Sequence, residues 1–271
     1  MRVACWQAGQ RPDGPAPVRR FGDVAARAAD AGAALLITPE MSATGYQLGP
    51  ARTAALAEPA DGPLRDAMGR LATATGLAIV YGWPETADGV VHNAVHLIGA
   101  DGEVAAHYRK THLYGEFDTA TFRAGDQPVV QAVIQAAQPD SDLRVGLLIC
   151  YDVEFPELVR MHALAGTQLL AVPTALRRPW DFVSHTLVPT RAFESQLFIA
   201  YVNWTGPQAD GYCGLSRVVG PDGRTLAAAD PTGETLLVTD LDLADLAAAR
   251  HATTYLQDRR PDLYHPVAGA S

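Results

Sequence analysis

Val145-Gly146-Leu147-Leu148-Ile149-Cys150-Tyr151-Asp152-Val153-Glu154-Phe155-Pro156-Glu157 reads as a buried strand delivered into a helix, with a thiol at the junction. Residues 145–149 are apolar or small without a polar break, the pattern of a strand covered on both faces. Proline is compatible with the first turn of a helix, so Pro156 fits a helix over 155–165, and Gly166 stands past its end. A reactive side chain at such a junction is fixed by the scaffold and open on one side.

Outward from that junction the signature repeats. Residues 3–6, 34–38 and 77–81 are continuous apolar runs, and 169–172 and 198–202 are also read as strands. Between the first two runs, Val18, Phe21, Val24, Ala25 and Ala28 share one helical face, with Gly32 as the stop. A second helix is predicted over Pro63–Thr75, with Leu64, Met68 and Leu71 inward, and a further one starts near Pro189. The middle changes style. Residues 92–100 and 103–108 flank Asp101-Gly102, a hairpin signal that Asp222-Gly223 repeats, and residues 234–241 supply a late strand. The tail from about residue 255, Pro-rich beyond Arg259, is predicted to be extended. Hairpins among strand–helix alternation argue against a barrel or a doubly wound sheet. Two mixed β-sheets packed face to face with helices outside, in one α/β domain spanning residues 1–271, fit better.

Composition narrows the function. The chain has 271 residues, 48% hydrophobic and 19% charged, which suits a globular protein with a large core. A net charge of -9 without a Lys/Arg cluster argues against nucleic acid or an anionic membrane as partner. Cys5, Cys150 and Cys213 are odd in number and widely spaced, so neither a disulfide framework nor a cysteine-rich zinc site is expected. The eight histidines show no metal-ligand spacing, and no metal or cofactor is expected. The N-terminal MRVACWQAG lacks the marks of a signal peptide, and no apolar run approaches the roughly 20 residues of a membrane span. A reducing cytoplasm, which suits a free thiol, is the expected location.

Reactive residues stand where strands should end in three segments. Glu40 follows the run 35–38 and Pro39; Lys110 begins Lys110-Thr111-His112-Leu113-Tyr114-Gly115-Glu116-Phe117-Asp118; Cys150 follows the run 145–149. Singly, each has an ordinary reading: a turn carboxylate, a solvated lysine, a small buried thiol. A thiol at a helix N-terminus is expected to have a lowered pKa. Cys5 in a core strand and Cys213 in a loop carry no expected role, and His112 reads as a local hydrogen-bonding residue.

Together the three segments resemble, in order and spacing, the signature segments of the nitrilase (carbon–nitrogen hydrolase) superfamily. The opening Val3-Ala4-Cys5-Trp6-Gln7 and the later Val188-Pro189-Thr190-Arg191-Ala192-Phe193-Glu194 extend the resemblance over nearly the whole chain. The resemblance implies a four-layer α-β-β-α sandwich, a homodimer or larger homo-oligomer, and a Glu–Lys–Cys catalytic set without metal or cofactor. Carried over by position, Glu40 is the general base, Lys110 the electrostatic partner and Cys150 the nucleophile. A second glutamate in the loop after the lysine usually joins them; Glu116 is preferred to Asp118 because the family uses glutamate.

The residue types suit the chemistry. A thiolate is a strong nucleophile for an unreactive amide carbonyl. Glu40 can move the proton, and Lys110 with the Tyr151 backbone N–H would face the oxyanion. Family nitrilases usually carry Trp then Glu after the cysteine, whereas this chain has Tyr151 then Asp152, which favours hydrolysis of a small primary amide. A nitrile, an N-carbamoyl amino acid or an ω-amide are the alternative substrates, with residues 187–203 most like amino-acid amidases. A non-catalytic scaffold is the remote alternative. There is no G-x-S-x-G, P-loop or dinucleotide fingerprint to support a serine hydrolase or nucleotide enzyme.

Overall fold

The computed structural model describes residues 1–9, 18–135, 142–206 and 211–264. In chain order it contains β1 (Arg2–Gly9), α1 (Val18–Asp30), β2 (Leu35–Ile37), α2 (Pro50–Ala55), α3 (Pro63–Thr75), β3 (Ala78–Ala87), β4 (Val90–Ile98) and β5 (Val104–Arg109). Next come α4 (Gly115–Thr121), β6 (Gln131–Ile134), β7 (Leu143–Leu147), α5 (Pro156–Leu164), β8 (Leu169–Pro173), α6 (Val188–Ser195) and β9 (Phe198–Val202). The rest are β10 (Trp204–Thr205), β11 (Arg217–Val219), β12 (Thr225–Ala228), β13 (Thr235–Asp240) and α7 (Ala244–Ala252).

The strands form two mixed sheets. One runs β10-β1-β2-β3-β4-β5, with β13 also paired to β1; the other runs β12-β11-β9-β8-β7-β6. The centre of each is parallel, β1-β2-β3 in the first and β7-β8-β9 in the second. The hairpins supply the antiparallel flanks.

Alternation along the strands makes the layers. Val3, Cys5, Leu35, Ile37, Ala78 and Val80 enter the core shared with the second sheet. Their neighbours Ala4, Trp6, Leu36, Ile79 and Tyr81 instead meet Phe21, Val24, Ala25 and Ala28 of α1 and Met68 and Ala72 of α3. Period-two strands between a sheet and a helical stripe yield the layered sandwich. Each fully buried Leu or Ile contributes roughly 1.5–3 kcal/mol.

The two D-G hairpins form as predicted, and a third was not anticipated: Asp88 (φ 50°) and Gly89 (φ 77°) turn β3 into β4. Two positive φ angles in a two-residue turn match the twist of the flanking strands. The chain after residue 255 is not extended. Gln257 and Asp258 N–H groups bond back to Thr254 O, and Pro261–Leu263 forms a 3-10 turn. The end of the predicted tail, residues 265–271, lies outside the described residues. Among those described, no helix is long and apolar enough to cross a membrane.

Candidate active site

Glu40, Lys110 and Cys150 leave the C-terminal ends of β2, β5 and β7, and Lys110 and Cys150 line one cavity of about 480 Å³. Two of the three turns are unusual in backbone. Cys150 itself has φ 48°, and Met41, directly after Glu40, has φ 53°. A left-handed residue with a side chain costs about 1–2 kcal/mol, which the surrounding structure must hold in place. The Glu40 turn packs hard on β3, where a Cβ on Gly82 would lie 2.7 Å from the Met41 nitrogen. Glu40 is further pinned through its backbone: its N–H donates to Thr174 O at 3.3 Å, and its carbonyl accepts the Trp204 Nε1–H at 2.8 Å.

Lys110 is buried between two carboxylates. Its Nζ donates to Glu40 Oε1 at 2.9 Å and to Asp118 Oδ2 at 2.7 Å. Asp118 also accepts the Tyr114 N–H at 3.0 Å and the Tyr46 hydroxyl. Of the two carboxylates offered by the loop, then, the one on the lysine is Asp118. Glu116 is exposed and lines the cavity, without a bond to Lys110. Helix phase accounts for this placement. Two residues apart in α4 point about 200° from one another, and the turn brings Asp118 inward.

The electrostatics separate the members. Burial works against the Lys110 ammonium, but Glu40 and Asp118 outweigh it and hold its pKa well above the ordinary range. Burial, reinforced by Asp118, raises the Glu40 pKa against the opposing pull of Lys110 and Asn93. Asn93 Nδ2 donates to Glu40 Oε1 at 2.6 Å, so Oε1 is doubly bonded while the buried Oε2 has no partner. Burial and then the Glu40 charge push the Cys150 thiol up, despite Lys110 and the Ala175 N–H. The helix N-terminus expected to lower the thiol pKa does not stand at Cys150. Cys150 opens a short 3-10 turn, Cys150–Glu154, and α5 begins only at Pro156.

Asp152 braces that turn. Its Oδ2 accepts the Ile149 N–H at 3.1 Å and the Tyr108 hydroxyl at 2.8 Å; its Oδ1 accepts the Thr111 hydroxyl and the His112 N–H, each at 2.9 Å. One carboxylate thus ties the cysteine turn to the lysine strand. His112, stacked on Phe155 with centroids 3.8 Å apart, belongs to the same brace. Asp152 is buried and does not line the cavity, so it shapes the site from behind, whereas Tyr151 does line it. Arg191 closes the other side, donating to Val153 O at 3.2 Å and Glu154 O at 2.7 Å.

Asn93, Trp204 and Asp118's inward turn were not read from the sequence. A lone Asn within the apolar strand β4 was the available signal for the first. Cys5 is fully buried, with its thiol pushed up to about 12, and Cys213 is buried too. Among the described residues no group of three or more His, Cys, Asp or Glu side chains could hold a metal ion.

The carbon–nitrogen hydrolase family model matches residues 2–251. A Pseudomonas protegens protein, "Hydrolase in pqqF 5'region", is 43% identical over 273 residues, covering 99% of this chain and 92% of its own. An (R)-stereoselective amidase from a Pseudomonas species is 36% identical over 228 residues, covering 83% of this chain and 79% of its own. The solved amidase of Nesterenkonia sp. AN1 is similar at TM-score 0.79 and 35% identity, over 98% of this chain and 99% of that one. A mutant of that amidase shows Michael addition of acrylamide at its active-site cysteine. With a family match over nearly its whole length, this chain belongs to the carbon–nitrogen hydrolase family.

Proposed function

We propose that this chain hydrolyses a small primary amide to the carboxylic acid and ammonia through a thioester on Cys150. The observation that carries the reading is the Glu40 carboxylate. One oxygen is saturated by Lys110 and Asn93 and the other is buried without a partner, and the Lys110 that holds it lines the cavity together with Cys150. A high-pKa thiol needs a base, and a desolvated carboxylate with a raised pKa can serve as one and keep the proton it takes.

The steps balance around that proton. Glu40 takes it from the thiol, and sulfur attacks the amide carbon. The oxyanion faces the Lys110 ammonium and the Tyr151 N–H. Glu40 returns the proton to nitrogen, the C–N bond breaks, and ammonia leaves. Water, deprotonated by Glu40, then opens the thioester and frees the thiol. Asp118 and Tyr46 keep Lys110 charged and in place. In this reading Glu40, Lys110 and Cys150 form the catalytic set, and Asp118, not Glu116, is the supporting carboxylate.

Covalent adducts and a butyramide complex on the Nesterenkonia amidase support the choice of small amides. The three cysteines are free, which suits a reducing cytoplasm, and exposed Met161, Leu164, Phe193 and Tyr255 suit a homo-oligomer. Ammonia release should be measured over matched pairs of amides and nitriles. Turnover of the amides is expected; efficient turnover of nitriles with little on the matching amides contradicts the proposal.

A further inference from the structure

Five aromatic residues, Tyr46, Tyr114, Phe117, Tyr151 and Trp180, line the cavity together with Glu154. Glu154 ends the 3-10 turn that starts at Cys150, so it faces the same space as the nucleophile from four residues on. Its backbone carbonyl is held by Arg191, and among the described residues none donates a hydrogen bond to its side chain. A partly buried carboxylate without a donor is a site that a ligand can satisfy.

We propose that Glu154 and the aromatic wall select amides that carry a protonated amino group, of which amino-acid amides are the simplest. This rests on the amidase reading and names its substrate class. An ammonium suits both parts of the site: it donates charge-assisted hydrogen bonds to the carboxylate and is attracted to aromatic faces. Tyr114 and Tyr151 meet edge to face at 5.1 Å, an arrangement that turns at least one ring face away from the pair.

The cations at or beside the cavity do not compete for the ammonium's place, and Glu116, the other carboxylate residue on the lining, is exposed to solvent that screens it. Lys110 is matched by Glu40 and Asp118. Arg191 is matched by Glu194 at 2.9 Å, and Arg177 has its own interaction within the protein. Arg178 is exposed, where solvent screens its charge. Burial raises the Glu154 pKa, with Arg191 and Lys110 opposing, and an arriving ammonium would favour its charged form further.

The test compares alaninamide with isobutyramide, which replaces the ammonium by a methyl group. Binding is measured by calorimetry on the Cys150→Ala protein, so no turnover is needed. Alaninamide is expected to bind at least about tenfold more tightly, as one charge-assisted hydrogen bond implies. Adding Glu154→Gln should bring the ratio near one, with isobutyramide binding serving as the check that the cavity is intact. Equal affinities in the Cys150→Ala protein, a preference that survives Glu154→Gln, or tighter binding of the acidic amide succinamate would each overturn the proposal. Ammonia release from isobutyramide by the parent enzyme would leave the amidase reading standing in every one of those cases.

Discussion

Two glutamates, one near the end of β3 and one in the turn that follows its neighbour β2, have been put to opposite uses. Glu85, near the end of β3, accepts Arg109 Nε and His107 Nε2 at Oε2, each at 2.8 Å, and Arg109 Nη2 at Oε1, at 2.6 Å. Burial works against its charge, but hydrogen bonds from Arg109 and His107 outweigh it and lower its pKa to about 2. Glu40 takes the residue after Arg109, Lys110, but only on one oxygen, and its pKa is raised. A carboxylate whose oxygens are both bonded is a fixed anion. One that is buried and half bonded is a base in waiting. β5 ends at Arg109 and Lys110 follows it directly, and the pair serves both glutamates because successive side chains of an extended chain leave opposite faces.

Substitution to glutamine should expose the difference. Glu40→Gln is expected to lose at least about 10²-fold in kcat/KM, the low end for a removed general acid–base group, while the protein stays folded. Steady-state ammonia release with a melting curve checks both halves. Activity within a few-fold of the parent would remove Glu40 from the mechanism.

The lysine's second partner gives a smaller effect. Asp118→Asn should cost about 10–100-fold, as expected for a group that orients and charges a residue touching substrate. Glu116→Gln should cost far less. The reverse order would restore Glu116 as the supporting carboxylate.

Glu85→Gln should leave amide turnover near the parent rate and act on stability alone. Because the folded pKa of Glu85 lies below the ordinary value of 4.5, its contribution is full above that value and is lost as pH falls toward about 2. His107 and Arg109 are each about one-third exposed, at 29% and 34%, so screening limits the loss to the order of 2 kcal/mol. Denaturant unfolding at pH 7 and pH 3 should show the gap between parent and variant shrinking at the lower pH. A constant gap would contradict the ion-pair account.

The layered fold was legible because buried runs such as 145–149 and turn pairs such as Asp101-Gly102 act locally. Asp88-Gly89 is equally local, but the apolar run 77–81 stops well short of it, so no strand signal leads into that turn. Cys150, Lys110 and Glu40 were legible as strand-end residues whose spacing matched a family. What escaped depends on side-chain direction or distant contact. Asp118 or Glu116 is decided by the phase of one short helix. The pairing of Trp204 with Glu40 spans 164 residues. The turn at Cys150 escaped because a strand-to-helix junction suggests a helix N-terminus at the thiol, whereas the chain inserts a 3-10 turn there, leaves Cys150 half-buried and begins α5 only at Pro156.

The mechanism turns on a covalent acyl bond to Cys150, which intact-protein mass spectrometry during turnover of a slow amide would detect. A mass gain equal to the amide less ammonia is expected, mapped by peptide digestion to Cys150. The adduct should be absent from the Cys150→Ala protein, which should also release no ammonia, and should form normally in Cys5→Ala and Cys213→Ala. An adduct on either other cysteine, or ammonia release by Cys150→Ala at more than a few per cent of the parent rate, would contradict it.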